Sequence, residues 1–134
     1  MFKASSIPRI KQINGSKQKL MITKEYRELI DKIILRTSEG KIKWETTSDK
    51  NKFLCRISLK TIVVHSYVYY NQESDSNLQS ISFEILDLMG EKIDGIYVDE
   101  SEPDYIKMTD LYDMTRRNAL NIDRTIRDLL DALE

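Results

Sequence analysis

The chain has 134 residues, of which 40% are apolar and 32% charged, and it contains only four Gly and two Pro. This length is close to that of one ordinary domain, and the composition is typical of a globular protein rather than a disordered or fibrous one. A single cysteine excludes an internal disulfide, and no apolar run approaches the roughly 18 residues that cross a bilayer. We therefore expect one cytoplasmic domain that does not enter a membrane.

The formal net charge of −1 hides two ends of opposite charge. Residues 1–24 carry six Lys or Arg and no carboxylate, whereas residues 71–134 carry sixteen Asp or Glu against six Lys or Arg. The local field, rather than the net charge, selects partners and sets association rates, so this separation favours a binding role. We expect residues 1–20 to form a flexible basic arm and residues 21–134 to form a single domain.

The first predicted element is a helix that begins after Thr23, whose side chain can cap it, and ends near Gly40. Its apolar side chains recur at intervals of three and four residues, which is typical of a helix that packs one face on a core. These side chains are Tyr26, Leu29, Ile30, Ile33 and Ile34.

Between residues 41 and 98 the apolar period changes from 3.6 to about two, which predicts roughly five antiparallel strands in a meander. Residues 61–70 are rich in β-branched and aromatic side chains on both faces, so this strand is expected to be central. The predicted strands centre on residues 42–44, 53–59, 61–70, 81–85 and 93–98.

The C-terminal part is predicted to be helical, with Ser101 as its cap and Pro103 in the first turn. Leu120 and Asn121 are expected to break it into two helices, although a single helix over 104–133 is the competing interpretation because no Gly or Pro intervenes. The second helix has an apolar stripe formed by Ile122, Ile126, Leu129, Leu130 and Leu133.

These elements together predict an α+β domain with an N-terminal helix, an antiparallel sheet of about five strands, and two C-terminal helices packed on one sheet face. The apolar stripes must be buried against something, and we expect the sheet face of Phe53, Ile57 and Phe83 to receive them. Replacing Leu129 or Ile57 by Ala is therefore expected to cost about 2–5 kcal/mol.

The chain offers few candidates for catalysis or metal binding. Cys55 and His65 on adjacent strands could form a nucleophile and its base, but both residue types also suit a sheet interior, and we favour that structural interpretation. One His and one Cys exclude an ordinary zinc site. Carboxylates could bind a hard cation, but their spacing does not match a calcium loop. These are Asp94, Asp99, Glu100, Glu102 and Asp104. No phosphate-binding or nucleophile motif occurs, so we predict no cofactor, no metal and no catalytic residue.

Two side-chain groups are candidates for partner binding. Tyr67 and Tyr69 offer flat aromatic surface on the predicted central strand, where they suit the core or a self-association surface. Arg116 and Arg117 could clamp a phosphate or a carboxylate through paired guanidinium hydrogen bonds. Neighbouring aspartates make local ion pairs the favoured interpretation for these arginines.

The tryptophan-bearing first strand, Lys43-Trp44-Glu45, and the pattern Leu-Tyr-x-x-x-Arg-Arg-x-Ala at residues 111–119 carry a resemblance. With the meander between them, they resemble a family of small uncharacterised bacterial proteins over residues 41–133. The resemblance implies a bacterial source and brings no reaction and no catalytic residues.

We interpret the chain as a non-catalytic protein-interaction module whose partner is another protein or a second copy. The alternative is nucleic-acid binding, in which the basic residues of the arm contact phosphates and binding depends steeply on salt. The arm residues in question are Lys3, Arg9, Lys11, Lys17 and Lys19, with Lys24 at its end. A third hypothesis is that the acidic face imitates DNA.

Overall fold

A computed structural model describes residues 22–134, so the predicted arm over residues 1–20 lies outside the described part. The elements are α1 (Lys24–Ser38), β1 (Glu45–Thr46), β2 (Lys52–Ile57), β3 (Lys60–Asn71), β4 (Ser76–Leu86), β5 (Lys92–Asp99), α2 (Tyr105–Ala119) and α3 (Ile122–Ala132). The five strands form one antiparallel sheet in the order β1-β2-β3-β4-β5. The predicted α+β class and the meander are confirmed.

Both ends of α1 follow the local signals in the sequence. Thr23 Oγ1 accepts a hydrogen bond of 3.2 Å from the Tyr26 N–H, which satisfies one of the free donors of the first turn. At the other end Gly40 has a φ of +77°, and the Lys41 N–H donates to the Arg36 carbonyl at 2.9 Å. This is the Schellman ending that glycine favours, because a side chain would be strained at this φ.

The hydrophobic core lies between one face of the sheet and the helices α1 and α2. Alternate strand residues point into it, as a half-buried sheet requires. The buried strand residues are Phe53, Cys55, Ile62, Val64, Ile81, Phe83 and Val98. The buried apolar residues that the two helices contribute are Ile30, Ile33, Met108 and Leu111. Tyr112 of α2 also packs on Phe53, with ring centroids 5.9 Å apart.

The first strand is shorter than the sequence predicts. Trp44 precedes β1, and its backbone N–H donates to the side-chain oxygen of Asn118 in α2 at 2.7 Å. The indole is buried and donates to Thr37 Oγ1 at 3.0 Å. A helix side chain therefore takes the place of a neighbouring strand here, which explains why the period of two at residues 42–44 does not extend the ladder.

The break between the two C-terminal helices is confirmed, and it has a clear cause. Asn121 adopts the left-handed conformation with φ 53° and ψ 47°, which asparagine tolerates better than most residues. The Leu120 N–H still bonds to the Arg116 carbonyl at 3.0 Å, so α2 closes before the chain turns. The start of α2 differs from the prediction, because the helix begins at Tyr105 rather than directly after Ser101.

The position of α3 differs from the prediction. No residue of α3 is buried, and Leu129, which we expected in the core, is 59% exposed. The expectation for Leu129 is wrong because α1 and α2 already occupy the sheet face that we assigned to both C-terminal helices. Leu29 of α1 is likewise at the edge of the core, with 37% exposure. Among the described residues, no helix is both long enough and apolar enough to cross a bilayer.

Candidate interaction surfaces

The sheet separates Cys55 from His65. Cys55 is fully buried on the helix side, where burial raises the pKa of its thiol to about 12. In the β2–β3 register Cys55 lies opposite Ile62, and His65 lies opposite Lys52. Successive side chains of a strand point to opposite faces, so the imidazole is on the other side of the sheet from the thiol. The proposed nucleophile and base therefore cannot meet.

His65 instead forms a small polar arrangement on the outer side. Its Nε2 lies 3.2 Å from Asp49 Oδ2, and its ring lies 5.1 Å from that of Tyr67. A hydrogen bond from the Asn51 N–H, aided by His65, lowers the pKa of Asp49. Ser82 faces His65 in the register, but no hydrogen bond joins them among the described residues. Asp49, His65 and Ser82 therefore do not form the hydrogen-bonded chain that activates a serine nucleophile.

The side of the sheet without helices carries a row of aromatic residues. We call it the open sheet face and define it by Val63, His65, Tyr67, Tyr69 and Tyr97. Tyr69 donates a 2.8 Å hydrogen bond to Asp99 Oδ2, and burial together with this bond raises its pKa to about 12. Tyr97 is 61% exposed, and a shallow cavity of about 270 Å³ lies beside it. Tyr67 and Tyr69 thus share a surface with Val63, whereas Val64 points into the core.

Two ion pairs lie on the open sheet face. Arg56 pairs with Glu45 at 3.4 Å, and Lys92 pairs with Glu84 at 3.5 Å. Both bases thus have a carboxylate beside them on the same face. These two ion pairs neutralise part of the positive charge on this face.

The apolar side of α3 is a second uncovered surface. We call it the α3 stripe, and it comprises Ile122, Ile126, Leu129, Leu130 and Leu133. The last four are 46%, 59%, 60% and 82% exposed. They lie at intervals of three and four residues and so form one continuous face of the helix. No described residue covers this face, which is unusual for so many large apolar side chains on one short element.

The two adjacent arginines of α2 lie in different surroundings. Arg117 forms an ion pair of 2.7 Å with Asp123, as the sequence predicts. Arg116 is exposed and has no ion pair among the described residues, so for Arg116 the predicted local pairing is wrong. The two guanidinium groups do not form a joint clamp. Arg117 instead joins Arg124 and Arg127 around a cavity of about 240 Å³ between α2 and α3.

We call this cavity the arginine pocket and define it by Arg117, Arg124 and Arg127. Sequence reasoning missed it because the three residues meet only through the left-handed turn at Asn121. The sequence alone gives no signal for it, because the aspartates near these arginines favour local ion pairs.

The Lys43-Trp44-Glu45 segment and the end of α2 meet in space. The Trp44 N–H donates to Asn118 Oδ1, and Lys43 Nζ lies 3.3 Å from the Asn118 carbonyl. Lys43 Nζ also donates to Asn121 Oδ1 at 3.2 Å. The Lys-Trp segment and the end of α2 therefore form one structural unit beside the arginine pocket.

Two of the carboxylates considered as cation ligands instead contact the start of α1 and the residues before it, which are far away in the sequence. Asp104 accepts the Ile22 N–H at 3.0 Å and Arg27 at 3.0 Å, and these contacts lower its pKa. Asp94 accepts the Tyr26 hydroxyl at 2.7 Å. Within residues 22–134, no group of three or more His, Cys, Asp or Glu is placed to hold a metal ion.

The basic arm residues singled out from the sequence lie outside the described part. They are Lys3, Arg9, Lys11, Lys17 and Lys19. Comparisons with protein-family models, with curated proteins and with solved structures find no match. The assignment of function therefore depends on the surfaces described above.

Proposed function

We propose that the protein is a non-catalytic protein-interaction module and that the α3 stripe is its main docking surface. The observation that carries this proposal is the exposure of four large apolar side chains on one helix face that no described residue covers. Fully burying one Leu or Ile side chain is worth about 1.5–3 kcal/mol. Covering side chains that are on average more than half exposed would thus contribute about 5 kcal/mol before the cost of association.

The partner that suits this surface is a protein with an apolar groove or an apolar helix face. A single helix that presents residues at intervals of three and four is the usual form in which such grooves bind a helix. The opposite charges of the two ends of the chain would add orientation and speed to the encounter rather than much affinity.

The test is site-specific photo-cross-linking in the cells from which the protein comes. A photoreactive phenylalanine analogue is placed at Leu130 in the stripe and, as the matched control, at Asp131 on the polar side of the same helix. We expect one discrete adduct from position 130 and little from position 131. Adducts of equal yield at both positions, or none at position 130, would contradict the proposal.

We propose the open sheet face as the surface for self-association. The rings of Tyr67 and Tyr69 on the central strand β3 and the exposed Tyr97 on the edge strand β5 give it flat aromatic area. Light scattering at high protein concentration should show a dimer that Tyr97→Asp converts to a monomer. The control is Ile106→Asp, at a residue that is 72% exposed on α2. A monomer at every concentration would contradict self-association through this face.

Nucleic-acid binding through the arm is the second candidate, favoured by the basic residues without any carboxylate in residues 1–24. Deleting residues 1–20 distinguishes the two functions. Nucleic-acid affinity that disappears with the arm and falls steeply with salt would establish this role. The cross-link from position 130 should be unaffected by the deletion.

A further inference from the structure

The arginine pocket collects positive charge within the part of the sequence that is acidic overall. Arg117 enters it from α2, and Arg124 and Arg127 enter it from α3. The only carboxylate in its lining is Asp123, which is already paired with Arg117 at 2.7 Å. Arg124 and Arg127 have no hydrogen bond or ion pair among the described residues. Two guanidinium groups at one cavity therefore have donors that are not used in an ion pair, although Asp128 and Asp131 follow them by one helical turn.

The two asparagines of the pocket add further donors. Asn118 Oδ1 is occupied by the Trp44 N–H at 2.7 Å, and Asn121 Oδ1 accepts Lys43 Nζ at 3.2 Å. An asparagine whose carbonyl oxygen is already bonded has its NH₂ group left for other partners, and that group can only donate. Neither NH₂ group has a partner among the described residues, so the free polar groups of the pocket are almost all donors.

We propose that the arginine pocket is a binding site for a phosphate dianion, either free or as a phosphate monoester of a small molecule. Guanidinium groups bind phosphate through paired, charge-assisted hydrogen bonds, and a phosphate has enough acceptor oxygens to use several donors at once. The volume of about 240 Å³ leaves room for a phosphate group together with part of a small molecule that carries it. Lys43, which is held beside the pocket by both asparagines, adds a further positive charge.

The experiment is an NMR titration of the full chain with inorganic phosphate and, separately, with glycerol 2-phosphate, at constant ionic strength set with chloride. The side-chain NH₂ signals of Asn118 and Asn121 report binding directly. They should shift and saturate as one site is filled. Saturation with either ligand supports the site, and the tighter ligand identifies the source of the phosphate group.

Variants locate the binding. R124Q/R127Q should weaken phosphate binding at least about tenfold, because two of the pocket's guanidinium groups are lost. R116Q, which removes an arginine outside the pocket, should change the affinity less than about twofold. All three arginines are exposed or unpaired, so the thermal transitions in chloride should coincide, which verifies that the variants fold.

Three results would overturn the proposal. The first is an absence of saturable shifts at the asparagine NH₂ groups, and the second is equal binding by R124Q/R127Q. The third is tight binding of a single-stranded DNA of about 20 nucleotides that phosphate does not displace. This last result would make the surface part of a nucleic-acid site rather than a pocket for one phosphate group.

Discussion

A comparison of two leucines tests whether α3 lies outside the core. Leu111 of α2 is 1% exposed, and Leu129 of α3 is 59% exposed. Leu111→Ala should cost about 3 kcal/mol, because it loses a fully buried side chain and leaves a cavity. Leu129→Ala should cost about 1 kcal/mol at most, since under half of the side chain is removed from water and no closed cavity forms.

The assay is urea unfolding followed by the fluorescence of Trp44, which is the only tryptophan and is buried. With an m value near 2 kcal/mol/M, Leu111→Ala should lower the midpoint by about 1.5 M and Leu129→Ala by less than about 0.5 M. Equal shifts at unchanged m would refute the placement of α3, because they would mean that Leu129 is buried to the same extent as Leu111.

Three further predictions concern the sheet and its surroundings. Gly95→Ala should cost about 1–3 kcal/mol in the same assay, because the new Cβ would lie 2.9 Å from a β4 carbonyl oxygen, and an unchanged midpoint contradicts this contact. Asp104 accepts hydrogen bonds from the Ile22 N–H and from Arg27, and these contacts lower its pKa in the folded protein. Its carboxylate therefore stabilises the fold at a pH above the unfolded pKa of about 3.9, and this stabilisation is lost as the pH falls through the folded pKa. Asp104→Asn should therefore flatten the acid side of a stability profile, and an unchanged slope would exclude this linkage. The Cys55 thiol, with a pKa raised to about 12 by burial, should react with a thiol reagent at pH about 8 only after denaturant is added, and immediate reaction would show that it is accessible.

The elements that the sequence predicted well are those with local signals. Thr23 and Gly40 bound α1 because capping depends on side chains a few residues apart. The five strands follow from the period of two, since that period arises directly from the alternation of side chains across a sheet. Asn121 breaks the C-terminal helices through its own tolerance of the left-handed conformation.

The separation of Cys55 from His65 also follows from a local feature of the sequence. Ser58 and Leu59 form a two-residue turn between paired Ile57 and Lys60, which fixes the register of the hairpin. Counting outward from that turn places Cys55 opposite an even-numbered residue of β3. An odd-numbered β3 residue such as His65 must then face the other side.

Whether the α3 stripe is buried or exposed could not be predicted from the sequence. An amphipathic pattern shows that Leu129 and Leu130 need apolar neighbours, but it does not say which surface provides them. The assignment depends on how much of the sheet α1 and α2 cover, which is a property of the assembled fold. The arginine pocket could not be predicted from the sequence for the same reason, because Arg117 and Arg127 approach each other only once the turn at Asn121 is formed.

The most direct test of the α3 stripe as a docking surface is the reactivity of a thiol placed on it. Leu130→Cys and Asp131→Cys each add one accessible thiol to a protein whose own cysteine, Cys55, is buried. In the dilute purified protein both should react at similar rates with a membrane-permeant maleimide. In intact source cells we predict that position 130 becomes about tenfold slower relative to position 131, because a partner excludes the reagent from an interface that it covers. Equal rates at the two positions inside cells would contradict the account.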